Sequence, residues 1–380
     1  MSELADDLTL PVLIVGAGLG GLTLGALLEN ANISYHILER ATELRSLGSA
    51  IAMMGPIIPA FEQLGIYEEL KKVSLPLVSL DYYDTKLNSI GSTYSRNHKM
   101  ACGYDQLILA RPKLYNLLHQ QVPAHKISMG KKVIRTRETS GRVIVCCSDD
   151  TEYNCSILVG ADGTYSVVRQ SYITMVGISN PPNPEKYPEL SETDRTHFRL
   201  VLGDNNDSER INLQLPEDKA KAQQFRNSEW GPESINAMLK EYEDFPCAFG
   251  GTMWDLFDAT PKNLISKVFL EEKVFQTWHH GRTVLLGDAC HKLLPGAGQG
   301  AVMAMKDAVV LVNCLYNMRD KSDKSVNTAF ASYDRQRFLE AENTTKLSAI
   351  ITKTLFGHVC VYKIEHAVET DTHRVTPSAH

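Results

Sequence analysis

Leu10-Pro11-Val12-Leu13-Ile14-Val15-Gly16-Ala17-Gly18-Leu19-Gly20-Gly21 decides the fold of this 380-residue chain. Leu10–Val15 is a short apolar run that reads as a buried strand, and Leu22–Leu28 continues past the glycines as a helix. A second apolar segment, Ser34–Leu38, ends at Glu39, with Arg40 behind it. This is a strand–turn–helix–strand unit carrying G-x-G-x-x-G, with an acid 23 residues beyond the first glycine. In such a unit Gly16 permits the tight turn and Gly18 lets the backbone approach a pyrophosphate. Gly21 allows close helix–strand packing, and Glu39 accepts hydrogen bonds from the adenosine ribose. The pattern predicts dinucleotide binding on an α/β scaffold without separating FAD from NAD.

A distal stretch narrows the choice. Thr283–Leu286 reads as a strand that ends in Gly287-Asp288, and Ala289-Cys290-His291-Lys292-Leu293-Leu294-Pro295-Gly296-Ala297-Gly298-Gln299 leads to a helix starting near Gly300. A strand end that offers a carboxylate can bind a ribityl hydroxyl. A glycine-rich loop feeding a helix N-terminus leaves free N–H groups that stabilise negative charge. A flavin needs both. Between the two motifs, Ser156–Gly160 is an apolar run leading into Ala161-Asp162-Gly163-Thr164-Tyr165-Ser166-Val167-Val168-Arg169.

On these three motifs, in this order, the chain resembles the FAD-dependent aromatic hydroxylases, the class A flavoprotein monooxygenases typified by p-hydroxybenzoate hydroxylase. The wording around Gly287 and the stretch Phe225–Pro246 look most like fungal members of secondary metabolism. The resemblance implies a Rossmann-like FAD-binding domain with an inserted substrate-side β-sheet segment. It implies FAD contacts from Gly16, Gly18, Gly21, Glu39, Arg40, Gly287 and Asp288, and a shared FAD and NAD(P)H role for Asp162, Gly163 and Arg169. Arg111, opening the helical stretch before Val122, matches an arginine that reaches the FAD pyrophosphate, a task that suits its forked donors. Without an anionic partner it would oppose the helix dipole.

The implied chemistry is reduction of FAD by NAD(P)H and reaction of reduced flavin with O₂ to a C4a-hydroperoxide. Oxygen then passes to an electron-rich ring or alkene of a small aromatic or prenylated substrate. Pro295 packs near the reactive edge, and the amides from Gly298 to Gly300 stabilise the anionic reduced ring. Cys290 reads as a small buried residue in preference to a redox group, and His291 and Lys292 as surface or helix-start residues in preference to groups that polarise substrate. No side chain is needed as a nucleophile.

Composition agrees with an intracellular enzyme. The chain is 43% hydrophobic, enough for two associated domains, and its net charge of -6 argues against a nucleic-acid partner. Met1–Thr9 has acids and no apolar core, so it is not read as a signal peptide. Eight scattered cysteines lack metal-like spacing and read as reduced thiols, which favours the cytoplasm and no bound metal. Leu347–Ile351 and Thr354–Tyr362 could pack as a covering helix or touch a membrane surface, packing being favoured. No signal bears on oligomeric state or on NADH versus NADPH.

The order of elements predicts a discontinuous FAD-binding domain, residues 1–169 and 275–345. A substrate-side segment occupies 170–274, and a C-terminal helix and flexible tail occupy 346–380. Only 117 residues separate Arg169 from Gly287, and Asn180–Asp194 and Asp204–Arg226 are polar with little strand alternation. The substrate-side sheet is therefore expected to be shortened. This departure keeps two alternatives open: a flavin reductase or oxidase of the same fold that inserts no oxygen, and a degraded FAD-binding protein of little activity. A second G-x-G-x-x-G is absent, which disfavours a disulfide-reductase layout.

Overall fold

The computed structural model describes residues 10–43, 50–83, 86–139, 141–163, 172–176, 196–201, 236, 239–240, 242–247, 250–260, 265–270 and 272–355. Arg169, Asn180–Asp194, Asp204–Arg226 and the segment after 355 lie outside them.

The N-terminal unit is β1 (Leu10–Val15), α1 (Leu19–Asn30) and β2 (Tyr35–Leu38). There follow β3 (Ala50–Met53), α2 (Ile58–Gln63), α3 (Tyr67–Val73), β4 (Leu75–Tyr83), β5 (Ser89–Tyr94), α4 (Arg96–Cys102), β6 (Leu107–Ala110) and α5 (Arg111–His119). Next come β7 (Ile127–Ser128), β8 (Val133–Thr139), β9 (Arg142–Cys147), β10 (Glu152–Gly160), β11 (Tyr172–Val176) and β12 (Thr196–Val201). The chain continues through α6 (Met253–Asp258), β13 (Ser266–Leu270), β14 (Lys273–Val274), β15 (His279–His280), β16 (Thr283–Leu285), β17 (His291–Lys292), α7 (Gly300–Tyr316) and α8 (Asp323–Leu355).

β1 lies between β2 and β10 and is parallel to both; β16 extends the parallel sheet on the far side of β10, and β7 does so beyond β2. A strand covered on both faces has no polar side, which is why β1 reads as an unbroken apolar run. Val12 and Ile14 face α1 and α7, while Leu13 joins Leu38, Val143, Val145 and Leu158 in a second core beneath the β8–β9 hairpin. α1 is buried on all sides from Leu19 to Leu28, wedged between the sheet, α5 and α7. The carboxyl ends of β1, β10 and β16 therefore open on one edge, the edge where such sheets bind ligands.

The second sheet runs β12-β4-β6-β3, with β5 hairpinned onto β4, where the sequence of Ser79–Asp84 and Ile90–Tyr94 around Thr85–Asn88 predicts a hairpin. Of the substrate-side segment, the described strands are β12, parallel to β4, β11 paired with β13, and the two-residue β14 paired with β17.

α8 is one continuous helix of 33 residues, so the expected domain boundary after residue 345 falls inside it. Its buried side chains, Val326, Ala329, Phe330, Tyr333, Arg337, Ala341, Thr345, Ser348, Ala349 and Thr352, recur at helical spacing and form a single face along its length. Most of that face is apolar at one end and hydroxylated at the other.

Close packing fixes the glycine turn. An added Cβ on Gly21 would lie 2.0 Å from the Gly16 carbonyl oxygen, and backbone offers no flexible end to give way. Gly21→Ala is expected to cost about 1–3 kcal/mol, the usual cost of overpacking, and to strip bound FAD. Urea unfolding and flavin content of the purified protein measure both; a variant that keeps wild-type values would show that the turn relaxes freely.

Candidate active site

The three sequence motifs, separated by more than a hundred residues each, meet in one place. Gly16, at φ +106°, turns so tightly that a Cβ would sit 2.4 Å from the Ala161 carbonyl oxygen, so the first motif rests directly on the second. A Cβ on Gly20 would meet Leu286 and Ala304, which brings in β16 and α7. The Ala161 amide donates to Val15 O, and the Gly16 amide donates to Leu38 O, both at 2.8 Å, joining strands β10, β1 and β2 at their carboxyl ends.

Two helices point their N-termini into this cleft. α1 begins after Gly18 and α7 after Gln299, neither with a side-chain cap nor with an acid in its first turn. Their first amides have no intrahelical acceptor, and the positive ends of both dipoles favour an anion in front of them. Gly18, Gly163 and Gly300 each face space in which a Cβ would touch nothing within 4 Å. Open space at these three backbone positions would let a ligand approach them closely.

One expectation is corrected. The Gly298 amide donates to Pro295 O at 2.8 Å, because Pro295–Ala297 forms a single 3-10 turn that closes on Gly298 at φ +61°. Gly298 is therefore not a free donor. The unspent amides begin one residue later, at Gln299, and run into the first turn of α7.

Asp288 sits in the short turn after β16. Its side chain is accessible, yet burial by the surrounding walls pushes its carboxyl up from the ordinary carboxylate value, against the pull of His291, Lys292 and Arg111. Arg111 is exposed at the first position of α5, and its charge is one of those that pull the Asp288 carboxyl down. Asp162 behaves like Asp288: desolvation raises its pKa, Arg40 lowers it and Glu39 raises it further.

Glu39 does more than the sequence suggests. One carboxylate oxygen accepts the Ala17 amide at 2.8 Å and the other the Ala41 amide at 2.9 Å, so it ties the glycine loop to the end of β2. Each oxygen keeps a further lone pair for a ribose hydroxyl.

Beneath the cleft lies a hub that sequence reasoning missed. Asp307 of α7 is fully buried and accepts the Gly287 amide at 3.0 Å, Arg337 Nε at 2.7 Å and the His291 ring at 2.5 Å. Burial by itself pushes its carboxyl up; His291 and Arg337 outweigh that and hold it below the ordinary value. Arg337 continues to Glu340, which also pairs with Lys306. His291, expected on the surface or at a helix start, is instead fully buried in β17, stacked obliquely beside Trp278 at 5.3 Å. The reason is the charge of Asp307, which needs donors inside the core. A lone acid in the apolar run Ala301–Tyr316 was the available signal.

Cys290, His291 and Asp307 have potential metal-ligating atoms within 4.8 Å of one another. The Asp307 oxygens already receive three donors, however, and burial pushes the Cys290 thiol far up, keeping it protonated. The cluster is an ion-pair hub.

A βαβ unit with an uncapped glycine loop, a second Asp-Gly turn and a Gly-Asp turn feeding an uncapped helix together define an FAD-binding oxidoreductase fold of the p-hydroxybenzoate hydroxylase type. The chain belongs to the FAD binding domain family, whose pattern matches residues 9–181 and 252–348.

Among its relatives, the FAD-dependent monooxygenase ptmM of Penicillium ochrochloron is 30% identical, over 94% of this chain and 93% of its own. The FAD-dependent monooxygenase penM of Penicillium crustosum is 28% identical, over 94% and 82%. The aurachin C monooxygenase/isomerase of Stigmatella aurantiaca is 28% identical, over 80% of each. The fold matches Klebsiella pneumoniae HpxO, solved with FAD and uric acid, with a TM-score of 0.70 at 19% identity over 97% of this chain and 93% of that one. It also matches 2,6-dihydroxypyridine-3-hydroxylase of Arthrobacter nicotinovorans, with a TM-score of 0.69 at 18% identity over 92% and 94%. The protein is an enzyme, a FAD-dependent monooxygenase of the aromatic hydroxylase type. No helix among the described residues is long and apolar enough to cross a membrane.

Proposed function

We propose that the enzyme uses NAD(P)H and O₂ to hydroxylate or epoxidise a small aromatic or prenylated organic compound. The observation that supports this reading is that Gly16 rests on Ala161 and Gly20 on Leu286 and Ala304, at the ends of strands next to two uncapped helix N-termini. FAD bound there, reduced by NAD(P)H and reoxidised by O₂, would supply the oxygen chemistry.

The chain's own residues divide the remaining work. Amides at the start of α1 and the Arg111 guanidinium hold the pyrophosphate. Glu39 accepts from the adenosine ribose with Arg40 beside it, and Asp288 accepts from the ribityl chain. Gly163 leaves room for the nicotinamide donor to pass, and Asp162 and Arg169 are assigned to the same step. The Gln299 and Gly300 amides stabilise negative charge on the reduced ring, while Pro295 packs at its edge and Gly298 sets the turn. The fungal relatives, both named FAD-dependent monooxygenases, support oxygen insertion over plain reduction.

Oxygen-electrode assays with NADH and NADPH, across a panel of phenolic and prenylated compounds, test the proposal. Substrate-stimulated uptake with an oxygenated product is the expected result. Turnover of substrate without oxygen uptake would replace it with a reductase.

A further inference from the structure

Within its own segment, the turn that carries Pro295 and leads to the unspent α7 amides is closed by one hydrogen bond, Gly298 to Pro295; its other anchor is the far end of α8. The fully buried Ser348 hydroxyl donates to the Leu294 carbonyl and accepts the Ala297 amide at 3.4 Å, so one side chain spans the whole 3-10 turn. Gly296, in the middle of that turn, approaches the helix so closely that a Cβ would lie 2.3 Å from Thr352 Oγ1, 2.8 Å from Thr352 N and 3.1 Å from Ser348 O. Turn and helix are in backbone contact. Leu294 and Ala349 seal the side of this junction as a small separate core.

We propose that Ser348 is a positioning residue for the reduced flavin. Its hydroxyl fixes the Leu294–Ala297 turn and thereby aims the Gln299 and Gly300 amides at the ring. The inference rests on the flavin reading of the cleft. The physical argument is one of direction: a helix N-terminus stabilises charge only where its amides point, and electrostatic stabilisation needs donors held in place before the charge develops. Gly298, with its left-handed backbone and no neighbour within 4 Å of a would-be Cβ, is a natural pivot. Nothing within the loop itself restrains that pivot except the single Gly298-to-Pro295 hydrogen bond. Ser348 supplies the restraint from outside.

Thr352 provides the control. It is equally buried in the same junction, yet its hydroxyl has no hydrogen-bond partner. Thr352→Val keeps the shape and removes no bond to the turn, whereas Ser348→Ala removes both bonds.

Two measurements separate the outcomes. Hydrogen exchange of the apoprotein, read on peptides covering residues 293–302, should speed up about five- to tenfold in Ser348→Ala and stay near wild type in Thr352→Val. The midpoint potential of bound FAD, measured against a reference dye, should fall in Ser348→Ala only, because the reduced anion loses aimed donors. Equal changes in both variants would overturn the proposal in favour of simple packing, as would unchanged exchange and potential in Ser348→Ala. The exchange experiment needs no cofactor, so a protein that bound no FAD would sink the flavin reading while still reporting on the clamp.

Discussion

Asp307→Ala should be the most destabilising single substitution in the flavin-binding half, costing about 3–5 kcal/mol in urea unfolding. The substitution leaves buried His291, at 0% exposure, without its Asp307 acceptor, and leaves Arg337, at 1% exposure, with Glu340 as its remaining ionic partner. It also frees the Gly287 amide, so FAD affinity should fall although Asp307 lies under the cleft and not in it. Asp307→Asn keeps the volume and one acceptor and should fall between the two. The pH dependence carries a sign. Because the folded chain holds this carboxyl below its ordinary value, its stabilisation is complete above about pH 4 and is lost as pH falls further. The gap between wild type and Asp307→Ala should therefore be flat from neutral pH to about pH 5 and close at lower pH. A variant as stable as wild type at pH 7 would mean that the hub contributes nothing.

Asp288→Ala should show the opposite profile. Its carboxyl is pushed up by burial, so the ionised form costs the folded apoprotein stability at neutral pH. Removing it should leave the apoprotein melting temperature unchanged or higher. Binding should suffer: a charge-assisted hydrogen bond of roughly 1.5–3 kcal/mol to a ribityl hydroxyl corresponds to about ten- to a hundredfold in FAD affinity. Flavin fluorescence titration of the apoprotein, together with turnover at saturating FAD, measures the loss. Wild-type affinity in a well-folded Asp288→Ala protein would remove this residue from the binding site. Read together, the two substitutions separate a residue that holds the site up from one that faces into it.

What the sequence determined by itself follows from local rules. Leu10–Val15, Ser34–Leu38 and Ser156–Gly160 are apolar because a parallel strand buried on both faces has no polar side, and the structure places strands there within a residue at one end and a few at the other. The glycine loop, the Asp-Gly turn and the Gly-Asp turn are short-range signals whose residue types follow from backbone geometry. They were legible before any contact was known. The hairpin of β4 and β5, and the helix start at Arg111, were legible for the same reason.

Tertiary structure decided the rest. Only the fold brings Ala161 against Gly16 and Ala304 against Gly20, turning three separate motifs into one cleft. It buried His291, whose polarity had suggested the surface, because Asp307 from another element needed a donor there. It spent the Gly298 amide inside a turn that local sequence left unassigned. It ran α8 unbroken through residue 345, carrying Arg337 to Asp307 and Ser348 to the flavin turn across separations of 30 and 54 residues. Sequence periodicity records which face of a helix is buried, because that depends on spacing along one chain segment. It does not record what the face is buried against, because that partner is chosen by packing between segments distant in sequence.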